Sequence, residues 1–160
     1  MDPHDELLKR LVVERDLSLT GMTATDFQDW ATTEVASEKP HPLSFDLFSR
    51  GCNVHEALGK IAEERLNFST ASLAGDRVVL EIATEHFAKF LNEETTPLET
   101  CHVIAEIYSY YVDLVHSGHP MPNWVYSSYN ACDWCDSTWT QANSPHLVNE
   151  VREIISGKGD

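Results

Sequence analysis

Hydrophobic residues recur along this chain at intervals of three and four, the period of a helix that buries one face. Leu7, Leu8, Leu11 and Val12 make the first stripe, opened by Asp2-Pro3 as cap and first helical residue and ending near Asp16. After a break at Gly21, a Thr23 to Asp26 capping pair introduces Phe27, Trp30, Ala31 and Val35, and Pro40 and Pro42 end that segment. Ser44 stands as the cap of a short helix with Phe45, Leu47 and Phe48, closed by Gly51. Asn53 and Glu56 then open a helix carrying Ala57, Leu58, Ile61, Ala62 and Leu66. Residues 67 to 75 keep no period and read as a loop, with room for a short strand.

Asp76 opens the next run, with Val79, Ile82, Ala83, Phe87, Phe90 and Leu91 on its apolar face. The sharpest boundary is Thr96-Pro97-Leu98-Glu99, which places a cap, a proline at the first helical position and a glutamate at the third. Its stripe runs through Leu98, Cys101, Ile104, Ala105, Tyr108, Tyr111, Val112 and Val115, and Gly118 stops it. Asn123 reads as the cap of a helix reaching about Gln141. Ser144-Pro145 starts a last one, with Leu147, Val148, Val151, Ile154 and Ile155, closed by Gly157. No hairpin signal, fixed-period repeat or linker interrupts this series. The expectation is an all-α fold: one compact multi-helix domain, residues 1–160, of seven or eight helices.

Composition narrows the class. A chain of 160 residues has the length of one ordinary domain, and 42% hydrophobic with 23% charged content is globular. The acidic start Met-Asp-Pro-His-Asp-Glu lacks the basic region of a signal peptide, so a cytoplasmic protein is expected, with Cys52, Cys101, Cys132 and Cys135 held as thiols. The 26 acidic residues against 11 basic ones give a formal net charge of −15. Such a surface repels phosphate backbones and anionic membranes, which argues against nucleic-acid and membrane partners, and it attracts a basic protein. Solubility alone is the alternative purpose of the acidity.

Cys132-x-x-Cys135 is the segment with the most candidate chemistry. In a helix from 123 to 141, Val125, Tyr129, Cys132, Cys135 and Trp139 share a face, and cysteine packs well as a small apolar side chain, so the spacing is read first as core spacing. The alternative is a zinc site, because His116-x-x-His119 precedes the pair and two imidazoles with two thiolates complete a tetrahedron. The Asp-Trp between the cysteines favours helix over a tight zinc-binding turn. A thioredoxin-like pair would need a strand feeding the first cysteine at a helix N-terminus, and none is predicted. Glu99-x-x-His102 and Asp113-x-x-His116 match halves of a di-iron pattern, but both lie on one predicted helix, where a bundle site needs several. With no phosphate loop, nucleophile elbow or dinucleotide fingerprint, the sequence favours no enzyme and no cofactor.

The stretch Phe90-Leu91-Asn92-Glu93-Glu94-Thr95-Thr96-Pro97-Leu98-Glu99 resembles an F-L-x-G-E-I-S-P-x-E helix junction found in small helical bacterial proteins, with Glu93 in place of its glycine. Asp26-Phe27-Gln28-Asp29-Trp30-Ala31, followed by Pro42 to Ser49, is similar to a second arrangement in such proteins. Some of them are immunity proteins encoded beside polymorphic toxins. The resemblance implies helix boundaries and carries no functional residue. It fits a non-enzymatic binding module whose acidic surface neutralises a basic toxin by direct binding. Trp124, Tyr126, Asp133, Trp134 and Asp136 are the candidate contact residues, because aromatics anchor most interfaces. A zinc-binding helical protein using His116, His119, Cys132 and Cys135 is the competing reading.

Overall fold

The His4 N–H donates to the Asp2 carboxylate at 2.9 Å, and Pro3 supplies the fixed φ of a first helical residue, so the chain enters its first helix where the sequence predicts. The computed structural model of the protein describes residues 2–19, 24–49 and 53–157. Within them it is all-helical, with eight helices and no strand. None of these helices is long and apolar enough to cross a membrane. The predicted breaks at Gly21 and Gly51, Thr23 of the expected Thr23 to Asp26 capping pair, and Cys52 lie outside the described residues.

The chain divides into two compact units, residues 1–78 and 79–160. The first contains α1 (Pro3–Leu17), α2 (Ala24–Val35), α3 (Leu43–Asp46) and α4 (Val54–Leu66). Helix α1 packs on both α2 and α4, and α3 touches α2 and α4. Leu8, Leu11, Val12, Val13, Leu17, Trp30, Leu58, Ile61 and Phe68 are buried in this unit. Each fully buried leucine there contributes roughly 2 kcal/mol of hydrophobic stabilisation. Asn53 caps α4 by accepting from the Glu56 N–H at 3.2 Å, as predicted. Ser44 is no cap: it lies inside α3 and donates its hydroxyl to the His41 carbonyl at 2.6 Å.

A buried polar hub also belongs to this unit. Glu34 has no exposed surface, and its carboxylate meets His4 Nε2 at 2.7 Å, the His41 N–H at 3.1 Å and the Arg65 guanidinium. Burial opposes the charge, but the His4 hydrogen bond, the His41 N–H and Arg65 together outweigh it and hold the carboxyl below the ordinary glutamate range. The His4 ring lies parallel to Trp30 at 4.8 Å, and Trp30 Nε1 donates to the His4 carbonyl at 3.0 Å.

Helix α5 (Leu73–Leu91) starts earlier than the sequence reading allowed. Ser72 begins it: its carbonyl accepts from the Asp76 N–H at 2.9 Å, and its hydroxyl accepts from the Gly75 N–H at 3.0 Å. The expected loop over 67–75 therefore ends at Ser72. At the other end of α5, Glu93 takes a left-handed φ of 61°, its N–H donating to the Phe90 carbonyl while the Glu94 N–H reaches back to Lys89. This is the Schellman stop that favours glycine. Glu93 is also the position filled by glycine in the junction that this stretch resembles.

The second unit is built on α6 (Pro97–His116), α7 (Asn123–Ala131) and α8 (Pro145–Ile155), with most of α5. Helix α7 packs against both α6 and α8. Both halves of the α6 capping box are made, the Glu99 N–H donating to Thr96 Oγ1 at 3.1 Å and the Thr96 N–H to Glu99 at 2.8 Å. Val79, Ile82, Phe87, Phe90, Ile104, Ile107, Tyr111, Val125 and Val151 form the core of this unit.

Candidate functional site

The unusual geometry of the molecule lies at the end of α7. The sequence predicts that this helix continues to about Gln141; instead it stops at Ala131, with Cys132 as its C-cap. Asn130, Asp133 and Asp136 are residue types that favour turns over helix, and of these Asp136 makes local side-chain hydrogen bonds, both to Thr138. Three successive short turns follow: Cys132 N–H to Tyr129 O at 3.1 Å, Asp133 N–H to Asn130 O at 3.2 Å and Cys135 N–H to Cys132 O at 3.0 Å. Asp136 then holds the Thr138 N–H at 2.8 Å as well as its hydroxyl, and these two hydrogen bonds, the hydroxyl first, lower its pKa. Thr140 and Asn143 bond each other reciprocally, and the Asn143 amide reaches the Thr138 carbonyl at 3.0 Å. The connector from 132 to 144 is thus a chain of turns tied by its own side chains.

Cys132 does not lie beside Cys135 on a helical face. It forms a disulfide with Cys101 of α6, with the two Cα atoms 5.7 Å apart. The expectation of four thiols is corrected accordingly, while Cys135 keeps a free thiol. Burial, and secondarily the Asp136 charge, push that thiol's pKa up. Close by, Tyr108 of α6 and Tyr129 of α7 stack with centroids 3.8 Å apart and planes within 5°.

A cavity of about 440 Å³ opens where α6 meets this turn. Leu98, His102 and Tyr129 line it together with all three of Cys101, Cys132 and Cys135, and Asp133 and Trp134 stand at it as well. Trp134 is 88% exposed and takes a left-handed φ of 66°. A large aromatic side chain rarely accepts that backbone conformation, which costs on the order of 1 to 2 kcal/mol. Trp134 lies between Cys132 of the disulfide and Cys135, whose N–H closes the turn.

The predicted contact residues separate. Trp134, Asp133 and Asp136 are exposed on the turn, and Tyr126 is 58% exposed on α7. Trp124 is not at the surface: only 3% exposed, it packs edge-on against Phe87. The four residues of the zinc alternative are not gathered. Cys132 is spent in the disulfide, and the His119 ring stacks on Tyr111 at 6.3 Å. Among the described residues no three His, Cys, Asp or Glu side chains are grouped to hold a metal. Glu99, from the di-iron pattern, is engaged in the α6 cap.

Two features were missed from sequence. Pairing between distant cysteines carries no local signal. Residue distribution did carry one: all five tyrosines and three of the four tryptophans fall between 108 and 139. No Lys or Arg occurs from 90 to 151, a span holding eight Asp and Glu. The chain matches no family model, no curated protein and no solved structure in comparisons with known proteins.

Proposed function

We propose that this protein is a non-enzymatic binding module that docks a basic protein partner on the turn after α7, in the manner of an immunity protein that neutralises a toxin. The observation carrying this reading is Trp134, an aromatic side chain 88% exposed on a backbone that resists it. Strain of this kind persists where the surroundings enforce it, and a large exposed aromatic is the commonest kind of interface anchor. Exposed Tyr126 and Tyr129 add aromatic surface nearby, and Asp133 and Asp136 supply charge. The cation-free span from 90 to 151 makes this part of the molecule attractive to a basic protein and speeds its encounter.

This reading expects a basic protein to be encoded beside this gene, and the test is a calorimetric titration with that neighbour's product. Trp134→Ala should weaken binding at least 30-fold, equivalent to about 2 kcal/mol, as hot-spot aromatics do. Replacing Asp133 and Asp136 by asparagine should slow association and reduce its salt dependence. Unchanged affinity in the Trp134→Ala protein would reject this surface as the docking site.

A further inference from the structure

We infer that Cys101, Cys132 and Cys135 form a thiol–disulfide exchange centre, in which the bond joining Cys101 to Cys132 can pass to Cys132 and Cys135. Three observations converge on it. All three cysteines line the same cavity, so the free thiol and the disulfide share one solvent-reached space. The Cys135 N–H donates to the Cys132 carbonyl at 3.0 Å, closing a four-residue turn. Such turns hold their end Cα atoms within about 7 Å, close to the range of roughly 4.4 to 6.8 Å that a disulfide spans. Accessibility is also graded: Cys101 is buried, whereas Cys132 and Cys135 are both half-buried.

The step is balanced within the chain. Cys135 loses its proton to solvent, and its thiolate attacks Sγ of Cys132. The new Cys132–Cys135 bond forms as the Cys101–Cys132 bond breaks, and Cys101 leaves as a thiolate that takes up a proton. One thiol and one disulfide stand on each side, so no oxidant is consumed. The raised pKa of Cys135 keeps this exchange slow, because only the thiolate attacks. Transfer frees the end of α7 from α6 and encloses Asp133 and Trp134 in a small ring, which changes the support of the surface that displays Trp134. That consequence for partner binding rests on the function proposed above; the exchange itself does not.

Disulfide mapping tests it on the full chain, equilibrated in glutathione buffers of graded reduced-to-oxidised ratio, quenched in acid and alkylated. Trypsin cannot separate the cysteines, since no Lys or Arg lies between 90 and 151, but cleavage before Asp113, Asp133 and Asp136 isolates each one. Expected are both the Cys101–Cys132 and Cys132–Cys135 species, with Cys101 alkylated at least tenfold more than in Cys135→Ser wherever a protein disulfide remains. The variant Cys101→Ser should form the Cys132–Cys135 bond. Finding Cys101–Cys132 alone in the unmodified chain at every ratio up to full reduction would overturn the inference, whether or not either variant folds.

Discussion

His4 Nε2 stands 2.7 Å from a carboxylate oxygen of Glu34, a side chain with no exposed surface, and Arg65 closes on the same carboxylate. The group is therefore a buried anion supported by two basic side chains and a backbone N–H. Removing it while leaving its partners buried should cost about 3 kcal/mol in Glu34→Gln, read by urea denaturation at neutral pH.

The same carboxyl gives a pH dependence of known sign. Its pKa is lowered in the fold, so the unfolded chain binds more protons as pH drops past the ordinary glutamate value of about 4.3. Its contribution is fully present above that value and is lost as pH falls through the lower, folded one. Stability measured between pH 5 and the acid transition should thus fall less steeply in Glu34→Gln than in the unmodified protein.

Gly75 is fixed by contact instead of by charge. A Cβ at this position would lie 2.0 Å from the Thr70 carbonyl oxygen, and that atom belongs to backbone that cannot swing aside. Thr70 is itself buried, its hydroxyl donating to Asp16 of α1. Glycine usually weakens a helix relative to alanine by roughly 1 kcal/mol. Here the sign should reverse, with Gly75→Ala losing about 2 to 3 kcal/mol in thermal or chemical denaturation.

Gly75 also shows which parts of the fold were legible in the sequence. The start of α6 was, because Thr96, Pro97 and Glu99 encode both halves of its cap within four residues. The first turn of α5 was not, because Ser72 and Gly75 look like loop residues until Thr70 is seen against the helix. The end of α7 misled for a different reason. Residues 129, 132 and 135 keep an apolar period of three that suits a continuing helix, and a run of short turns has nearly the same spacing. The candidate site lay in that stretch, so its residues were in view while their geometry was not.

The disulfide closes a loop with a sequence separation of 31 residues. The loop-entropy relation puts its contribution at about 3 to 4 kcal/mol relative to the reduced chain. Dithiothreitol should therefore lower the denaturation midpoint of the unmodified protein substantially. Cys135→Ser, which leaves the Cys101–Cys132 link in place, should keep that reducible increment, and Cys101→Ser, which can close only the short Cys132–Cys135 loop, should show a smaller one.

Trp134 permits a prediction in which stability and binding move in opposite directions. Its left-handed backbone costs a tryptophan on the order of 1 to 2 kcal/mol, while glycine adopts it freely and loses roughly 0.5 to 1 kcal/mol of extra chain entropy on folding. With the indole 88% exposed, little burial is forfeited by removing it. Trp134→Gly should accordingly stabilise the oxidised protein by about 0.5 to 1 kcal/mol in urea denaturation, even as it weakens the basic partner's binding in parallel titrations. A glycine variant less stable than the parent would mean that the indole earns its place by packing against the cavity wall, and the case for it as a displayed anchor would lose its physical basis.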